Sequence, residues 1–326
     1  MRKLLGISIL LIGCISCSNE IDIHADLDYQ PVVYSILNLN SDQQYVRISR
    51  TYRSDNEHFG MSPLADSLII HEPCEIYIEK WMDGDPVETY LFAKTVTVKD
   101  SGFFPVSGQE LYLAQFTPEP LTHYILYVYF PDIGKVVSGE TVTTTFPVAE
   151  DPQPELARYI TITRDRGFTA RWYSVEHGGV YQGIFTVIYM EILGESSVFQ
   201  HIDWLLPNIV LDRPNELITQ DLHQQRFFDL LIEGIPVVSD VRRELVGMEF
   251  CLIAGDEELG LALRTSDIKD FAFNNDYTNL DNGVGLFSSV ARTYIQNLKF
   301  SYLTEDAVCS DPELSVLNFK KSGSHE

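Results

Sequence analysis

Along much of this chain the hydrophobic positions recur every second residue, in short runs broken by turn-forming residues. Tyr45-Val46-Arg47-Ile48-Ser49-Arg50-Thr51-Tyr52 alternates apolar and polar side chains, and it follows the apolar run 31–37 across the turn-rich stretch 38–43. The pattern predicts a hairpin with one wet face. Further strands are predicted at 74–81, 87–94, 111–116, 123–130 and 135–146, with turns at Met82-Asp83-Gly84-Asp85-Pro86, Asp100-Ser101-Gly102, 117–120 and 131–134. About seven short strands with such frequent turns describe an immunoglobulin-like sandwich without the cysteine and tryptophan pattern of antibody domains. Residues 54–72 are its long loop.

Ala149-Glu150-Asp151-Pro152-Gln153-Pro154 is the clearest boundary, since two prolines and two acids argue against both a ladder strand and a helix interior. Beyond it, strands are predicted at 159–163, 167–173, 181–193, 237–238, 246–254 and 298–303. One helix is predicted at 216–233, entered past Pro214-Asn215 and closed by Gly234 and Pro236, with Ile218, Leu222, Phe228 and Leu231 approximating one face. The expected fold is therefore mainly β: an N-terminal immunoglobulin-like β-sandwich over 27–148, then a second β-rich domain over 149–310 with one amphipathic helix near 216–233. A flexible tail is expected over 311–326.

Composition agrees with two cores. A length of 326 residues with 45% hydrophobic content excludes wholesale disorder, and the usual domain size of about 150 residues suggests two domains. Lys+Arg 23 against Asp+Glu 47 gives a net charge of -24, which repels nucleic acid and anionic lipid. No nucleic-acid partner is expected.

The amino terminus changes the picture more. Met1-Arg2-Lys3 precedes an apolar run over 4–13 that is too short to span a bilayer, and together they form a secretory signal over 1–16. Two cysteines close it. Leu11-Ile12-Gly13-Cys14 and Ile15-Ser16-Cys17 both resemble the lipobox of bacterial lipoproteins, in which the cysteine is acylated before the peptidase cuts in front of it. Cys14 has the better upstream residues; Cys17 leaves a signal of more usual length and opens the acidic tether Ser18-Asn19-Glu20-Ile21-Asp22, part of 17–26. Either cysteine is a candidate for lipidation. With no second apolar stretch of about 18 residues, the acyl group is the expected membrane contact. Loss of Arg2 and Lys3 with the signal takes the charge from -24 to -26.

Linear signatures of chemistry are sparse. The chain contains no phosphate-binding glycine loop, no H-E-x-x-H, no G-x-S-x-G and no EF-hand loop, and its eight histidines show no ligand spacing. No cofactor, metal or catalytic residue is expected. Cys74, Cys251 and Cys309 read as free thiols, with a Cys251–Cys309 disulfide permitted by an oxidising compartment. Asp256-Glu257-Glu258 offers oxygen ligands suited to calcium, against the simpler reading of a solvated turn after 246–254. Asn279-Leu280-Asp281-Asn282-Gly283-Val284-Gly285-Leu286-Phe287 allows positive φ and close backbone approach, so Asn279, Asp281, Asn282, Gly283 and Gly285 are candidates for a ligand site, against the simpler reading of a structural turn. Trp81, Trp172 and Trp204 with Tyr124, Tyr127 and Tyr129 are candidates for a sugar-stacking platform, against ordinary core and cross-strand pairs. His177, His201 and Asp203 are the residues from which a nonlinear hydrolase site would be assembled.

Several of these segments share a resemblance. The lipobox with Ser18-Asn19-Glu20-Ile21-Asp22, the run Tyr29-Gln30-Pro31-Val32-Val33-Tyr34-Ser35-Ile36-Leu37-Asn38, the strand at 44–52, Lys99-Asp100-Ser101-Gly102-Phe103-Phe104 and Thr278 with the late glycine motif resemble the Bacteroidota envelope lipoproteins that carry domain of unknown function 4249. The resemblance runs from Cys17 to about residue 300. Leu259-Gly260-Leu261-Ala262 departs from it, standing where a tyrosine-rich stretch is expected. The resemblance implies an outer-membrane lipoprotein, noncatalytic, with a TonB-dependent receptor or another envelope protein as partner. A surface glycan-binding module is the alternative function, and a hydrolase the third.

Overall fold

The computed structural model describes residues 30–50, 73–97, 109–131, 134–153, 159–266 and 277–321. The signal with Cys14 and Cys17, the acidic tether, the loop 54–72 and the segment 99–104 lie outside the described residues.

β1 (Pro31–Asn38) and β2 (Gln43–Arg50) form the hairpin that the alternation predicts, paired from Pro31↔Arg50 to Ser35↔Val46. Val33, Ser35 and Leu37 point inward while Tyr34 and Ile36 stay exposed, the period of two expected of a half-buried strand. β3 (Glu75–Met82) and β4 (Asp85–Leu91) turn at Asp83 and Gly84, whose φ angles of 54° and 89° suit a two-residue hairpin. The predicted strand 87–94 is in fact two. It breaks at Phe92, whose N–H donates to the Ile76 carbonyl, and β5 (Ala93–Thr97) continues in another sheet. A change of sheet leaves the period of two intact, so alternation could not reveal it.

β6 (Gln109–Gln115), β7 (His123–Phe130) and β8 (Lys135–Val142) complete two facing sheets. Val33, Leu37, Val46 and Ala114 from one meet Ile78, Leu126, Val128, Phe130 and Val137 from the other in a single core. Each large aliphatic or aromatic side chain so buried contributes about 1.5–3 kcal/mol.

The second half runs β9 (Val148–Asp151), β10 (Tyr159–Ile160), β11 (Phe168–Tyr173), β12 (Gly178–Leu193), β13 (Ser196–Leu205), β14 (Ile209–Val210), β15 (Leu217–Leu222), α1 (Gln224–Gly234), β16 (Arg242–Asp256), α2 (Glu257–Ser266), β17 (Leu280–Asp281), β18 (Val284–Phe300) and α3 (Tyr302–Ser310). The chain is mainly β, and the described residues form three sheets. A ten-stranded sheet has the order β13-β12-β16-β18-β1-β2-β6-β5 with β10 and β14 attached; β15-β11-β9 form a second; β17-β8-β7-β3-β4 form the third. Trp172, Phe185, Phe227, Phe228, Leu231 and Phe250 anchor the core between the first two sheets and α1.

Five expectations are corrected here. The predicted helix 216–233 is β15 followed by α1: Ile218 and Leu222 fit either a helical or a strand face, and pairing of Ile218 with Trp172 on β11 decides for a strand. The boundary at 149–154 does not close a unit at 148. Val148–Asp151 is itself a strand, and the first sandwich takes Leu280 and Phe287 into its core. β18 spans both halves, pairing in parallel with β1 from Val32↔Val284 to Asn38↔Val290, then antiparallel with β16 from Gly255↔Val290 to Met248↔Leu298. The predicted strand 298–303 ends at Phe300, where Ser301 caps α3 by accepting from the Thr304 N–H; 237–238 carries no strand, and the single helix expected is joined by α2 and α3.

The flexible tail expected at 311–326 is docked through Lys321. Leu314, Leu317 and Phe319 are buried, and Arg243, wholly buried, donates from Nη1 to the Leu317 carbonyl at 2.9 Å. Its Nε and Nη2 meet Glu191 at 2.8 and 2.7 Å, and Nη2 also reaches the Pro236 carbonyl. Arg164 fixes the same segment through Asp311 and Glu313, each at 2.6 Å, with its guanidinium 4.1 Å from the Phe228 ring centre.

Candidate functional site

The late glycine motif serves the fold. The Asn279 side chain donates to the carbonyls of Glu140 and Phe287 and accepts from the Phe287 N–H, so its amide is spent on backbone. Asn282, at φ 59°, donates to the Val136 carbonyl, and Asp281 pairs with Ser138 on β8 and is exposed. At Gly283 a Cβ would lie 2.8 Å from a Val137 methyl; at Gly285, φ 129°, it would lie 1.9 Å from the Val33 carbonyl oxygen. This connection between two sheets plugs the sandwich with Leu280 and Phe287. The ligand reading of Asn279, Asn282, Gly283 and Gly285 is corrected accordingly, because their polar groups and their missing side chains are used to bring β17 and β18 against β8 and β1.

Asp256, read as part of a solvated turn, is 1% exposed. Its Oδ1 accepts from the Leu259 N–H at 3.0 Å and the Ser288 hydroxyl at 2.6 Å; its Oδ2 accepts from the Thr141 hydroxyl at 2.7 Å and from the Ser289 N–H and hydroxyl at 2.6 and 3.0 Å. One carboxylate thus caps α2 and ties β16 to β18 and β8. Burial pushes its pKa above the usual carboxylate value, against the lowering effect of these hydrogen bonds. Glu257 and Glu258 open α2, where acids favour the positive end of a helix.

The six aromatic candidates separate. Trp172, Trp204 and Tyr124 are core residues. Trp81, Tyr127 and Tyr129 stand half-buried on the open face of the five-stranded sheet, joined by Tyr77 and His123. Tyr77 and Tyr127 stack at 4.9 Å between centroids, and Trp81 lies 6.5 Å from His123. Carboxylates are interleaved. Glu79 accepts from the Trp81 indole at 3.1 Å, and Glu140 sits 3.1 Å from the His123 Nε2. Burial, with Glu79 adding to it, raises the Tyr127 phenol.

His177, His201 and Asp203 do not meet. His177 precedes β12 and its Nδ1 lies 3.3 Å from Glu257. His201 pairs across from Ile188, ten strand residues beyond Gly178 and so about 33 Å along the strand. His201 and Asp203 instead line a shallow recess of about 480 Å³ with Thr186, Ile188, Phe199 and Glu249, in which the Thr186 hydroxyl donates to Asp203 at 2.7 Å. Cys74, Cys251 and Cys309 are free thiols, so the permitted Cys251–Cys309 disulfide is not made, and burial raises the pKa of each. Among the described residues no group of three or more His, Cys, Asp and Glu is placed to hold a metal ion, and no helix is long and apolar enough to cross a membrane.

Sequence reasoning missed Tyr77 and the whole of β13, with Phe199. A signal for the latter was present, because Gly194-Glu195 separates two β-prone runs at a two-residue spacing, and Gly194 does take φ 60°. Compared with known protein families the chain matches none, and no similar sequence is found among curated proteins.

Proposed function

We propose that this chain is a noncatalytic lipoprotein of the bacterial outer membrane, held by acylation of Cys17 or Cys14, whose folded body binds a partner of an envelope system such as TonB-dependent uptake. One observation supports the noncatalytic part: three buried charges, Asp256, Arg243 and Asp311, are consumed in bonds between structural elements. The side chains with binding chemistry stand instead on open sheet faces. The lipobox and the resemblance to Bacteroidota lipoproteins support the anchor and the address, and the TonB-dependent receptor as partner rests on that resemblance alone. Metabolic labelling with radioactive palmitate tests the anchor; label retained in the Cys14→Ala/Cys17→Ala double variant refutes it. Co-purification of a TonB-dependent receptor with the chain tests the partner.

A second reading, a surface glycan-binding module, is supported by the common outward face of Tyr77, Trp81, Tyr127 and Tyr129 with carboxylates between them. Affinity electrophoresis against a panel of polysaccharides tests it. Retardation lost in Trp81→Ala/Tyr127→Ala supports this reading, and no retardation by any glycan ends it.

A further inference from the structure

Among the described residues β13 is the end strand of the ten-stranded sheet, with an open hydrogen-bonding edge. It runs from Ser196 to Leu205 and pairs with β12 in unbroken register, Leu193↔Ser196 through Ile184↔Leu205. The Leu206 N–H donates to the Gly183 carbonyl, which makes 183/206 a hydrogen-bonded pair. Such pairs alternate along an antiparallel ladder, so the even-numbered residues of β13 bond to β12. Ser197, Phe199, His201, Asp203 and Leu205 therefore turn their N–H and C=O groups away from the sheet. Among the described residues no backbone hydrogen bond reaches them.

Three other sheet ends among the described residues are guarded. β4 carries Asp85, Pro86 and exposed Glu88, β5 is five residues with Lys94, and β9 is four residues beside a bulge. Shortness, proline, charge and bulges are the means by which natural sheets refuse a further strand. β13 has none of them except Asp203. It is long, free of Pro, Lys and Arg, and exposes Val198, Phe199 and Leu205 at 56%, 66% and 60%.

The geometry points to a specific use: β13 is a docking edge that accepts an extended, basic segment of another protein as an additional strand. Main-chain bonds from Ser197 to Leu205 hold it, as in other cases of strand addition. Charge selects what is added. Asp203 lies on the outer face of the edge strand, Glu249 lines the same recess two strands in, and neither β12 nor β13 contains a lysine or arginine. A lysine opposite Asp203 meets a carboxylate, with Leu205, the next residue on the outer face, beside it to cover its methylene stem. A second copy of this chain is disfavoured as the occupant, because each copy carries a net charge of -24. The inference goes beyond the proposed envelope function and does not depend on the lipid anchor.

The test uses the full-length chain in detergent micelles and a fluorescein-labelled decapeptide of alternating lysine and valine, followed by fluorescence anisotropy. Three comparisons accompany it: the same peptide N-methylated at alternate residues so that it cannot pair, an alternating glutamate and valine peptide, and the variants Asp203→Lys and His201→Pro. Proline at 201 removes an outward donor and leaves the bonds to β12 in place. The expected result is saturable binding of the lysine peptide, weakened at least tenfold by N-methylation and by either variant, with no binding of the glutamate peptide. Hydrogen exchange at Phe199, His201 and Asp203 slows in the complex. Equal binding of the N-methylated peptide, protection away from β13, absence of binding, or sedimentation of the free chain as a dimer abolished by His201→Pro overturns the proposal. The palmitate label, which tests the anchor, is unaffected by any of these outcomes.

Discussion

Gly285→Ala is the substitution that most sharply tests how the two halves are joined. Gly285 lies in the parallel pairing of β18 with β1, opposite Val33. At φ 129° an alanine is strained by about 1–3 kcal/mol. Its Cβ also falls 1.9 Å from the Val33 oxygen, 2.8 Å from the Val33 carbonyl carbon and 3.0 Å from the Val33 nitrogen. Those are backbone atoms of a central strand, so relief requires β1 to move, at a further cost of about 1–3 kcal/mol typical of overpacking. The sum, about 2–6 kcal/mol, is a large part of the 5–15 kcal/mol that usually holds a domain. Gly84 supplies the control, since it has φ 89° in a turn with nothing within 4 Å of its Cβ position. Gly84→Ala carries the strain without the collision. Urea unfolding of both variants, followed by far-UV circular dichroism, is expected to place Gly285→Ala at least 1 kcal/mol below Gly84→Ala. Equal loss in the two variants would refute the claim that close approach of β18 to β1, rather than backbone strain, makes residue 285 a glycine.

Three further outcomes are expected. Arg243→Met removes the partner of Glu191 and the donor to Leu317, costing about 3–5 kcal/mol, and limited proteolysis is expected to cut first within 311–321. For Asp311, the Arg164 guanidinium lowers the folded pKa below 3.8, so its contribution is present above that value and is lost as pH falls through the folded pKa. Stability measured below pH 4 is therefore expected to fall less steeply in Arg164→Met than in the parent. Asp256 has the opposite sign: its folded pKa is raised, so the stability linked to it is complete below about 3.8 and declines as pH rises through the folded pKa. In Asp256→Asn the slope of stability against pH is expected to flatten above pH 4, whatever the absolute loss from placing the new amide against the Ser289 N–H.

The sequence makes the local elements legible and leaves their partners hidden. The alternation at 45–52 and the Asp83-Gly84 turn specify hairpins because a strand period and a two-residue turn are properties of neighbouring residues. The division of 87–94 at Phe92 depends on Ile76 and on the pairing of Ala93 with Leu113, and the sharing of β18 between two cores depends on β1 at the other end of the fold; no local period encodes either. The same limit governs the candidate sites. Asp256 looks like one acid among three, and only the arrival of Thr141, Ser288 and Ser289 makes it a buried junction. Trp81 and Trp204 are indistinguishable as strand tryptophans, yet the first lies on an open face and the second in a core. The open edge of β13 is a property of what is missing beside it, and that is not written in its own ten residues.

The parallel pairing of β1 with β18 also sets a clock. Because Val32 waits for Val284 and Asn38 for Val290, the first described strand has an empty flank until β18 exists. A polypeptide built this way completes the flank of its leading strand only when its trailing half is present. Closure is deferred to the end, and contacts of such long sequence separation are slow to form. The leading segment thus stays pliable longest where an ordinary first domain would already have set.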